Sequence, residues 1–351
     1  MDINEILKEI IADNGSDIFI IAGKPLTYRS NGRMKNIGER LMPMDTESII
    51  QKIYNLASRS ISYLESRMDD DFSFSLKKLG RFRVNTFYQR GSMAAVLKVV
   101  LFQIPNPTLI GIPDQVMDLY NKTKGLILVT GPTGSGKTTT LACLIDKINK
   151  NREAHIITLE DPLEYLHTHD KSIVSQREIF MDTPSYEQGL RAALRESPDV
   201  ILLGEMRDFE TISVAMSAAE TGQLVFSTLH TMGAANTVDR IVDVFPPAQQ
   251  RQVRTQLSMV LQAVVSQQLI PSTNGGMVPA FEVMICNPAI RNIIRESKVQ
   301  LIDSTIYASS SQGMISMDSS LFNLYSEGLI TKENALTHAM NYEAMKKKLG
   351  L

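Results

Sequence analysis

The residues best suited to chemistry form a glycine-rich run near the middle of the chain. Residues 131–138 read G-P-T-G-S-G-K-T, which has the spacing of a phosphate-binding loop, or P-loop. Glycines let backbone N–H groups turn toward phosphate oxygens where a side chain would block the approach. We expect Lys137 to bridge the β- and γ-phosphates and the Thr138 hydroxyl to hold Mg²⁺. The predicted nucleotide contacts are Gly131, Pro132, Thr133, Gly134, Ser135, Gly136, Lys137, Thr138 and Thr139.

Polar residues also follow three other apolar runs. Glu160 and Asp161 follow one, Glu205 follows another and His230 ends a third; the runs cover 154–159, 199–203 and 224–229. Buried apolar strands that alternate with helices indicate a mainly parallel sheet, which binds ligands at the carboxyl ends of its strands. The P-loop follows the run 126–129 and lies at the same edge. We therefore expect all these residues to line one site.

Glu205 is predicted to be the catalytic carboxylate. Triphosphate hydrolysis needs positioned phosphates, Mg²⁺ and an oriented water rather than covalent help from the protein. A glutamate is ionised at neutral pH, so Glu205 can orient that water or accept its proton. The alternative is a structural ion pair with Arg207. Gly204 stands where a typical Walker B strand carries aspartate.

The other polar residues at this edge have two interpretations each. Glu160 or Asp161 could hold Mg²⁺ through water or orient the attacking water, and the alternative is a turn or helix cap at Asp161-Pro162. His230 could bond the γ-phosphate and report hydrolysis, although a lone histidine is more often structural. The predicted catalytic set is Glu205, Glu160, His230 and Lys137, and the predicted metal ligands are Thr138 and Asp161.

The chain before the P-loop predicts an α+β domain with an antiparallel sheet. Helical spacing and strand-like alternation both occur there, with a hairpin turn at Ser30-Asn31-Gly32. Arg81 and Arg83 alternate with apolar residues and face one side of a strand, and Arg90 follows. On the residues alone, a solvated sheet face is favoured for these arginines over a basic surface that meets phosphates.

Prolines mark the boundary between two predicted domains. The run 104–113 holds three prolines and one glycine, which is typical of a linker. We predict an N-terminal domain over 1–104, a linker over 105–118 and an ATPase domain over 119–351. Within the last, a long amphipathic helix is expected over 247–267, followed by a hairpin and short helices.

Composition excludes several classes of protein. The net charge of −2 gives no support for nucleic acid as a bulk partner. The two cysteines have no metal-site spacing, which favours a reduced, cytosolic chain. No apolar run approaches the roughly 20 residues of a membrane span, so any membrane association is expected to need a partner.

Four motifs together resemble those of the type II/IV secretion ATPases. The P-loop resembles their Walker A motif. Residues 157–162 resemble the Asp box of the family, residues 204–208 its Walker B motif and residues 227–231 its His box. The segment Ala289–Glu296 resembles the retraction motif of the branch that withdraws type IV pili. The similarity covers almost the whole chain, which has neither the length nor the cysteines for the extra domain and zinc insertion of assembly ATPases.

The resemblance implies an α/β fold with a PAS-like α+β N-terminal domain, a RecA-like P-loop ATPase domain and a helical C-terminal tail. It implies a homohexamer that hydrolyses ATP with Mg²⁺. Glu205 would be the catalytic glutamate, assisted by Glu160, and His230 would sense the nucleotide. Gly204 is the family's own pattern. Arg81, Arg83 and Arg90 fall where the family brings basic residues toward the nucleotide.

The expected function is a motor that drives pilus retraction and twitching motility. Its partner would be an inner-membrane platform protein, and the ring would be cytoplasmic and peripheral to the membrane at the pilus base, with no membrane span and no nucleic acid. Three alternatives stay open. They are a pilus-assembly or type II secretion ATPase of the same family, a poorly hydrolysing ATP-binding regulatory module, and a nucleic-acid translocase, which the charge disfavours.

Overall fold

The computed structural model describes residues 3–30, 32–76, 79–100 and 104–351. By its internal contacts the chain divides into two units, Met1–Gln103 with Glu164–Leu166, and Ile104–Leu163 with His167–Leu351. None of the helices within the described ranges is long and apolar enough to cross a bilayer.

The first unit is an antiparallel sheet with helices packed on it. Its helices are α1 (Ile3–Ala12), α2 (Pro43–Leu56) and α3 (Ser62–Arg67), and its strands are β1 (Gly15–Ile20), β2 (Leu26–Ser30), β3 (Arg33–Ile37), β4 (Asp69–Leu76), β5 (Gly80–Gln89) and β6 (Ser92–Val100). The described strands pair in the order β3-β2-β1-β6-β5-β4. The expected hairpin is formed by β2 and β3, and Asn31 of its turn lies outside the described residues.

The second unit is a sheet covered by helices on both faces. Its strands are β7 (Gly125–Thr130), β8 (His155–Glu160), β9 (Ile173–Glu178), β10 (Val200–Leu203), β11 (Leu224–Leu229), β12 (Leu261–Pro271) and β13 (Met277–Ile285). In the described part of the chain they pair in the order β13-β12-β7-β11-β10-β8-β9. The β12–β13 pair is antiparallel and the other pairs are parallel.

The helices of this unit lie partly between its strands, and five of them follow the last described strand. They are α4 (Asp114–Met117), α5 (Lys137–Asn151), α6 (Tyr186–Ala193), α7 (Phe209–Glu220), α8 (Ala234–Asp243), α9 (Pro247–Val260), α10 (Pro288–Arg295), α11 (Ile302–Ala308), α12 (Met317–Ser326), α13 (Lys332–Thr337) and α14 (Tyr342–Lys348). The central strands β7, β10 and β11 are mostly apolar because both of their faces are buried. On β7, Leu126 and Leu128 pack into one core, and Ile127 and Val129 into the other.

The segment expected to link the domains, 105–118, packs within the second unit. It contains α4, and Ile112 and Val116 are buried in the core that also holds β7 and α5. Proline limits the conformations of this segment but does not prevent its apolar residues from packing. The domain boundaries at 104 and 119 stay a prediction.

The long helix expected over 247–267 is wrong in its last third, residues 261–267. The helix α9 ends at Val260, and the chain continues as β12 between β7 and β13. Leu261 and Val264 fit the spacing of a helix, which is why the helix was expected to continue. Val264 and Val265 are buried in the two opposite cores, so β12 is a strand with two buried faces, and this packing overrides the helical period.

Arg291 of α10 stabilises the point where α9 becomes β12. Its Nη1 donates to the carbonyl oxygens of Ser258 at 2.6 Å and Met259 at 2.8 Å. These carbonyls belong to the last turn of α9, where a helix leaves acceptors without partners. Arg295, one turn along α10, is exposed.

A buried carboxylate on β13 connects two helices to the sheet. Glu282 is 4% exposed and accepts hydrogen bonds from the backbone N–H groups of Ala234 at 2.7 Å and Met317 at 3.4 Å. These residues begin α8 and α12. Burial, together with the neighbouring carboxylates of Asp303 and Asp318, raises the pKa of Glu282 to about 6 against the opposing effect of the two backbone hydrogen bonds.

Candidate active site

The P-loop takes a backbone path that requires glycine. Gly131, Gly134 and Gly136 have φ angles of +138°, +79° and +89°, which side chains rarely adopt. A Cβ atom on Gly131 would lie 2.1 Å from the carbonyl oxygen of Gln267. Around Gly134, by contrast, a Cβ would meet nothing within 4 Å. Space therefore requires a glycine at 131, and the backbone angle requires one at 134.

Lys137 lies against its own loop. Its Nζ donates to the carbonyl oxygens of Gly131 and Pro132, both at 2.9 Å, and the residue is buried. The Ser135 hydroxyl is also buried and has no hydrogen-bond partner among the residues that the structure describes. The first turn of α5 presents backbone N–H groups without intrahelical acceptors. Donors without acceptors and a buried ammonium group suit a phosphate chain.

The remaining P-loop residues differ in exposure. Pro132, Thr133 and Gly134 form the exposed tip, and Thr138 and Thr139 are half-buried on the first turn of α5. Among the described residues no group of three or more His, Cys, Asp or Glu side chains is arranged to hold a metal ion. Mg²⁺ bound with a nucleotide needs few protein ligands, because waters and phosphate oxygens supply most of its coordination. The residues present therefore fit a Mg²⁺–phosphate group, and Thr138 and Asp161 stay predicted ligands.

The structure brings Glu205 and His230 together at the edge that the P-loop also occupies. One carboxylate oxygen of Glu205 lies 3.5 Å from Nε2 of His230, and the other lies 2.6 Å from Nη2 of Arg207. The Glu205 side chain is 14% exposed, whereas that of Arg207 is 74% exposed. The ion pair that was the structural alternative for Glu205 therefore exists, and it holds the carboxylate beside His230.

Glu160 and Asp161 differ although they are adjacent. Glu160 is buried, and its carboxylate accepts a hydrogen bond from the Thr158 hydroxyl at 2.7 Å. Asp161 is exposed and lines a cleft of about 400 Å³ together with Glu205 and Arg207. The catalytic role of Glu160 and the metal role of Asp161 stay predictions.

Gly204 is explained by what surrounds it. Its N–H donates to the carbonyl oxygen of Leu159 at 2.8 Å, and its own carbonyl accepts from the Thr228 hydroxyl at 2.6 Å. These bonds join the ends of β8, β10 and β11. A Cβ on Gly204 would lie 2.8 Å from the Tyr186 hydroxyl and 3.3 Å from the Leu159 carbonyl oxygen. An aspartate at this position, as in a typical Walker B strand, would require the Tyr186 hydroxyl to move.

Tyr186 is a member of the site that the sequence did not reveal. It begins α6 and lines the same cleft as Glu205 and Asp161. Burial raises the pKa of the Tyr186 phenol, and the carboxylates of Glu205, Asp161 and Glu160 raise it further. The hydroxyl therefore stays protonated at neutral pH and is available as a hydrogen-bond donor. No motif marks this residue, because its place follows from the packing of α6 beside Gly204.

A second cleft adjoins the P-loop. It has a volume of about 470 Å³ and is lined on the P-loop side by Gly136, Thr139 and Thr140. Its other walls are mainly apolar and include Leu109, Ile110, Ile112, Leu269, Val278 and Pro279. An apolar cleft beside a phosphate loop suits a flat heterocyclic base.

The three predicted N-terminal arginines lie in the first unit. Arg81 and Arg83 are half-buried on the same face of β5, and Arg81 donates to the Ser73 hydroxyl. Arg90 is exposed in the turn after β5 with a φ of +52°. Their role in nucleotide binding stays a prediction.

Comparison with known proteins identifies the family of this chain. Residues 1–320 match the family model described as "Type II/IV secretion system protein". The chain belongs to this family. The resemblance proposed from the four motifs is thereby confirmed.

Two relatives and one solved structure of this family are similar over most of their length. A Pseudomonas aeruginosa protein named "Type IV pilus retractation ATPase PilT" is 44% identical over 336 residues, which are 95% of this chain and 97% of the relative. A Neisseria gonorrhoeae "Twitching motility protein" is 45% identical over 321 residues, 90% of this chain and 85% of the relative. The structure described as "Crystal Structure of the Pilus Retraction Motor PilT and Bound ADP" is 48% identical, covers 99% of both chains and superposes with a TM-score of 0.90.

The superposition confirms the predicted fold class. The chain has a PAS-like α+β N-terminal domain, a RecA-like P-loop domain and a helical C-terminal end. The residue roles within the site are not established by this similarity.

Proposed function

We propose that this protein is a hexameric ATPase motor that drives type IV pilus retraction and so twitching motility. The activity rests on one observation: Glu205 and the P-loop lie at the carboxyl edge of the same parallel sheet, as hydrolysis of a bound triphosphate requires. Retraction rests on the similarity to the Pseudomonas retraction protein over 95% of this chain. The segment Ala289–Glu296, which resembles a retraction motif, supports it.

Nucleotide binding would use the P-loop and the apolar cleft that adjoins it. The backbone N–H groups of the loop and the buried Ser135 hydroxyl would donate hydrogen bonds to the phosphate oxygens. Lys137 would exchange the carbonyls of Gly131 and Pro132 for phosphate oxygens. The base would enter the apolar cleft, which reaches from Leu109 to Pro279. ATP thus satisfies donors that the described protein leaves without acceptors.

Mg²⁺ would be held by the Thr138 hydroxyl, with Asp161 acting through water, and would neutralise charge on the phosphates. The chemical task of the protein is then to orient a water molecule. Glu205 performs this task in the proposal, because its carboxylate is partly exposed and lies between Arg207 and His230. Glu160, which is buried on the neighbouring strand, would assist by fixing the edge of the sheet.

His230 would report the state of the nucleotide. It lies 3.5 Å from Glu205, and the chain after it leads directly into α8. If the hydrogen-bond partner of Glu205 changes, the resulting shift of His230 would move the start of α8, whose first N–H group donates to Glu282. The hexamer would transmit such changes to an inner-membrane platform protein from the cytoplasmic side of the membrane, at the base of the pilus.

The test is deletion and complementation in the source cell. Deletion is expected to increase surface pili and abolish retraction, and the wild-type gene should restore both. Glu205→Gln and Lys137→Ala should fail to restore them. Glu343→Gln, which changes an exposed carboxylate on α14, should restore them fully and controls for expression.

Other outcomes would contradict the proposal. Loss of pili on deletion would favour an assembly ATPase, and unchanged pilus dynamics would exclude a retraction motor. Purified protein that binds ATP but releases no phosphate would be a regulatory module. Strong stimulation of phosphate release by DNA would indicate a translocase.

A further inference from the structure

Gln267 stands out because it contacts the P-loop at both of its ends. It lies on β12, which runs parallel to β7, and the register pairs Ser266 with Thr130, the last residue of β7. Gln267 is therefore beside the point where the chain leaves the sheet to form the loop. It is 3% exposed.

Main-chain and side-chain atoms of Gln267 fill the space beside two loop glycines. Its carbonyl oxygen occupies the place next to Gly131, 2.1 Å from where a Cβ would be. Its Nε2 lies 2.9 Å from the corresponding position on Gly136. Gly131 opens the P-loop and Gly136 precedes Lys137, so one residue of β12 borders the start and the end of the loop.

A hydrogen bond fixes the side chain in this place. The hydroxyl of Thr140, on the first turn of α5, donates to Oε1 of Gln267 at 2.8 Å. Thr140 is 1% exposed, so this bond is shielded from water. A buried bond of this kind leaves an unsatisfied group if one partner is removed. The amide thus ties β12 to the helix whose N-terminus faces the phosphates.

We propose that Gln267 is a positioning residue that holds the P-loop in its phosphate-binding shape and thereby sets the affinity for nucleoside triphosphate. The affinity part rests on the proposed ATPase function, whereas the holding of the loop does not. Gln267 does not touch the reacting atoms in this view. It acts through Thr140, Gly131 and Gly136, and its loss weakens binding more than it slows turnover.

The experiment uses two variants that each remove one side of the bond. Gln267→Met keeps the length of the side chain without its amide, and Thr140→Val keeps the shape without the hydroxyl. Each is expected to raise the Kd for ATP about three- to tenfold, the value of one hydrogen bond, and to change kcat less than about twofold. The double variant should be no weaker than either single variant, because both remove the same interaction.

A matched control is the next residue of the same strand. Gln268 points to the opposite face, where its Nε2 donates to the His338 carbonyl oxygen at 3.2 Å. Gln268→Met therefore makes the same chemical change away from the P-loop. We expect it to leave the Kd for ATP unchanged.

Hydrogen exchange of the full-length protein without nucleotide supplies a second readout. Amides of residues 131–141 should exchange about three times faster or more in Gln267→Met and Thr140→Val, because the loop opens more often, and at the wild-type rate in Gln268→Met. Wild-type exchange and Kd in Gln267→Met would overturn the proposal. The proposal would also be overturned if the increases in Kd of the two single variants multiplied in the double variant. The same would follow if Gln268→Met raised the Kd and the exchange rate as much as Gln267→Met.

This design separates the two proposals. If the wild-type protein binds no ATP, the proposed function fails, and the exchange rates still decide whether Gln267 holds the loop. If Gln267→Met does not fold, Thr140→Val tests the same bond from the side of the helix.

Discussion

Glu205 and Glu282 are two glutamates associated with strands of the same sheet, yet their hydrogen-bond partners and their surroundings differ. Glu205 lies just beyond β10 at the open edge and is paired with the side chains of Arg207 and His230. Glu282 lies within β13 and accepts hydrogen bonds from backbone N–H groups at the starts of α8 and α12. Side-chain partners can rotate away, whereas these backbone partners belong to the first residues of two helices. The first environment suits chemistry and the second suits architecture.

The strongest test of this contrast is Glu205→Gln. The amide cannot accept a proton, so phosphate release should fall by a factor of about 10²–10⁴, or roughly 3–5 kcal/mol in the barrier. The thermal midpoint should stay close to that of the wild type, because the partners of Glu205 lie at a partly exposed edge. Steady-state phosphate release and calorimetry check this. Near-normal turnover in a folded variant would remove Glu205 from the mechanism.

Glu282→Ala should show the opposite pattern, with stability lost first. It leaves the buried N–H groups of Ala234 and Met317 without their acceptor, at about 1–3 kcal/mol each. We expect a loss of about 2–6 kcal/mol in the free energy of unfolding, measured by urea denaturation and circular dichroism. Glu343→Ala on the exposed face of α14 is the control and should cost little. A loss below about 1 kcal/mol would mean that water replaces the carboxylate.

The pH dependence of stability sharpens the same contrast. The pKa of Glu282 is raised from 4.5 to about 6 by burial. A raised carboxyl pKa favours the protonated folded state, so the stability it contributes is present below pH 4.5 and is lost as the pH rises through about 6. The loss is about 2 kcal/mol. The stability of Glu282→Gln relative to wild type should therefore rise by about that amount between pH 4.5 and 7.5, and a constant difference would contradict the burial argument.

Arg207→Ala should have the smallest effect. Its guanidinium is 74% exposed at the side chain, and exposed ion pairs contribute less than about 1 kcal/mol. Glu205 keeps His230 as a neighbour, so phosphate release should change less than about fivefold. Added salt should reduce the difference between Arg207→Ala and wild type. A loss as large as that of Glu205→Gln would instead make Arg207 part of the reacting group.

The residues of the P-loop edge could be predicted because their signals are local. The loop is a run of consecutive residues, and Glu160, Glu205 and His230 each follow an apolar run that is readable as a buried strand. Periodicity failed at β12, where the same apolar residues fit a helix and a strand with two buried faces. The fold class followed from the alternation of strands and helices together with the motif resemblance.

The supporting residues have no such local signal. Gln267 bonds Thr140 across 127 positions of the chain, and Glu282 bonds Ala234 across 48. A glutamine or glutamate in a strand is ordinarily predicted to lie at the surface, because the neighbouring residues give no sign of a distant hydrogen-bond partner. Tyr186 was missed for the same reason, since only the packing around Gly204 places its hydroxyl at the site.

The contacts of Arg291 have a consequence for how a partner could recognise Ala289–Glu296. The Nη1 atom of Arg291 donates to main-chain carbonyls at the end of α9. Arg291 therefore stabilises the fold of this chain rather than binding a partner. The exposed charges at the end of α10 are Arg295, its last residue, and Glu296, which follows it. A docking protein would thus meet a cation and an anion side by side, and a lone acidic patch would be a poor counterpart for it.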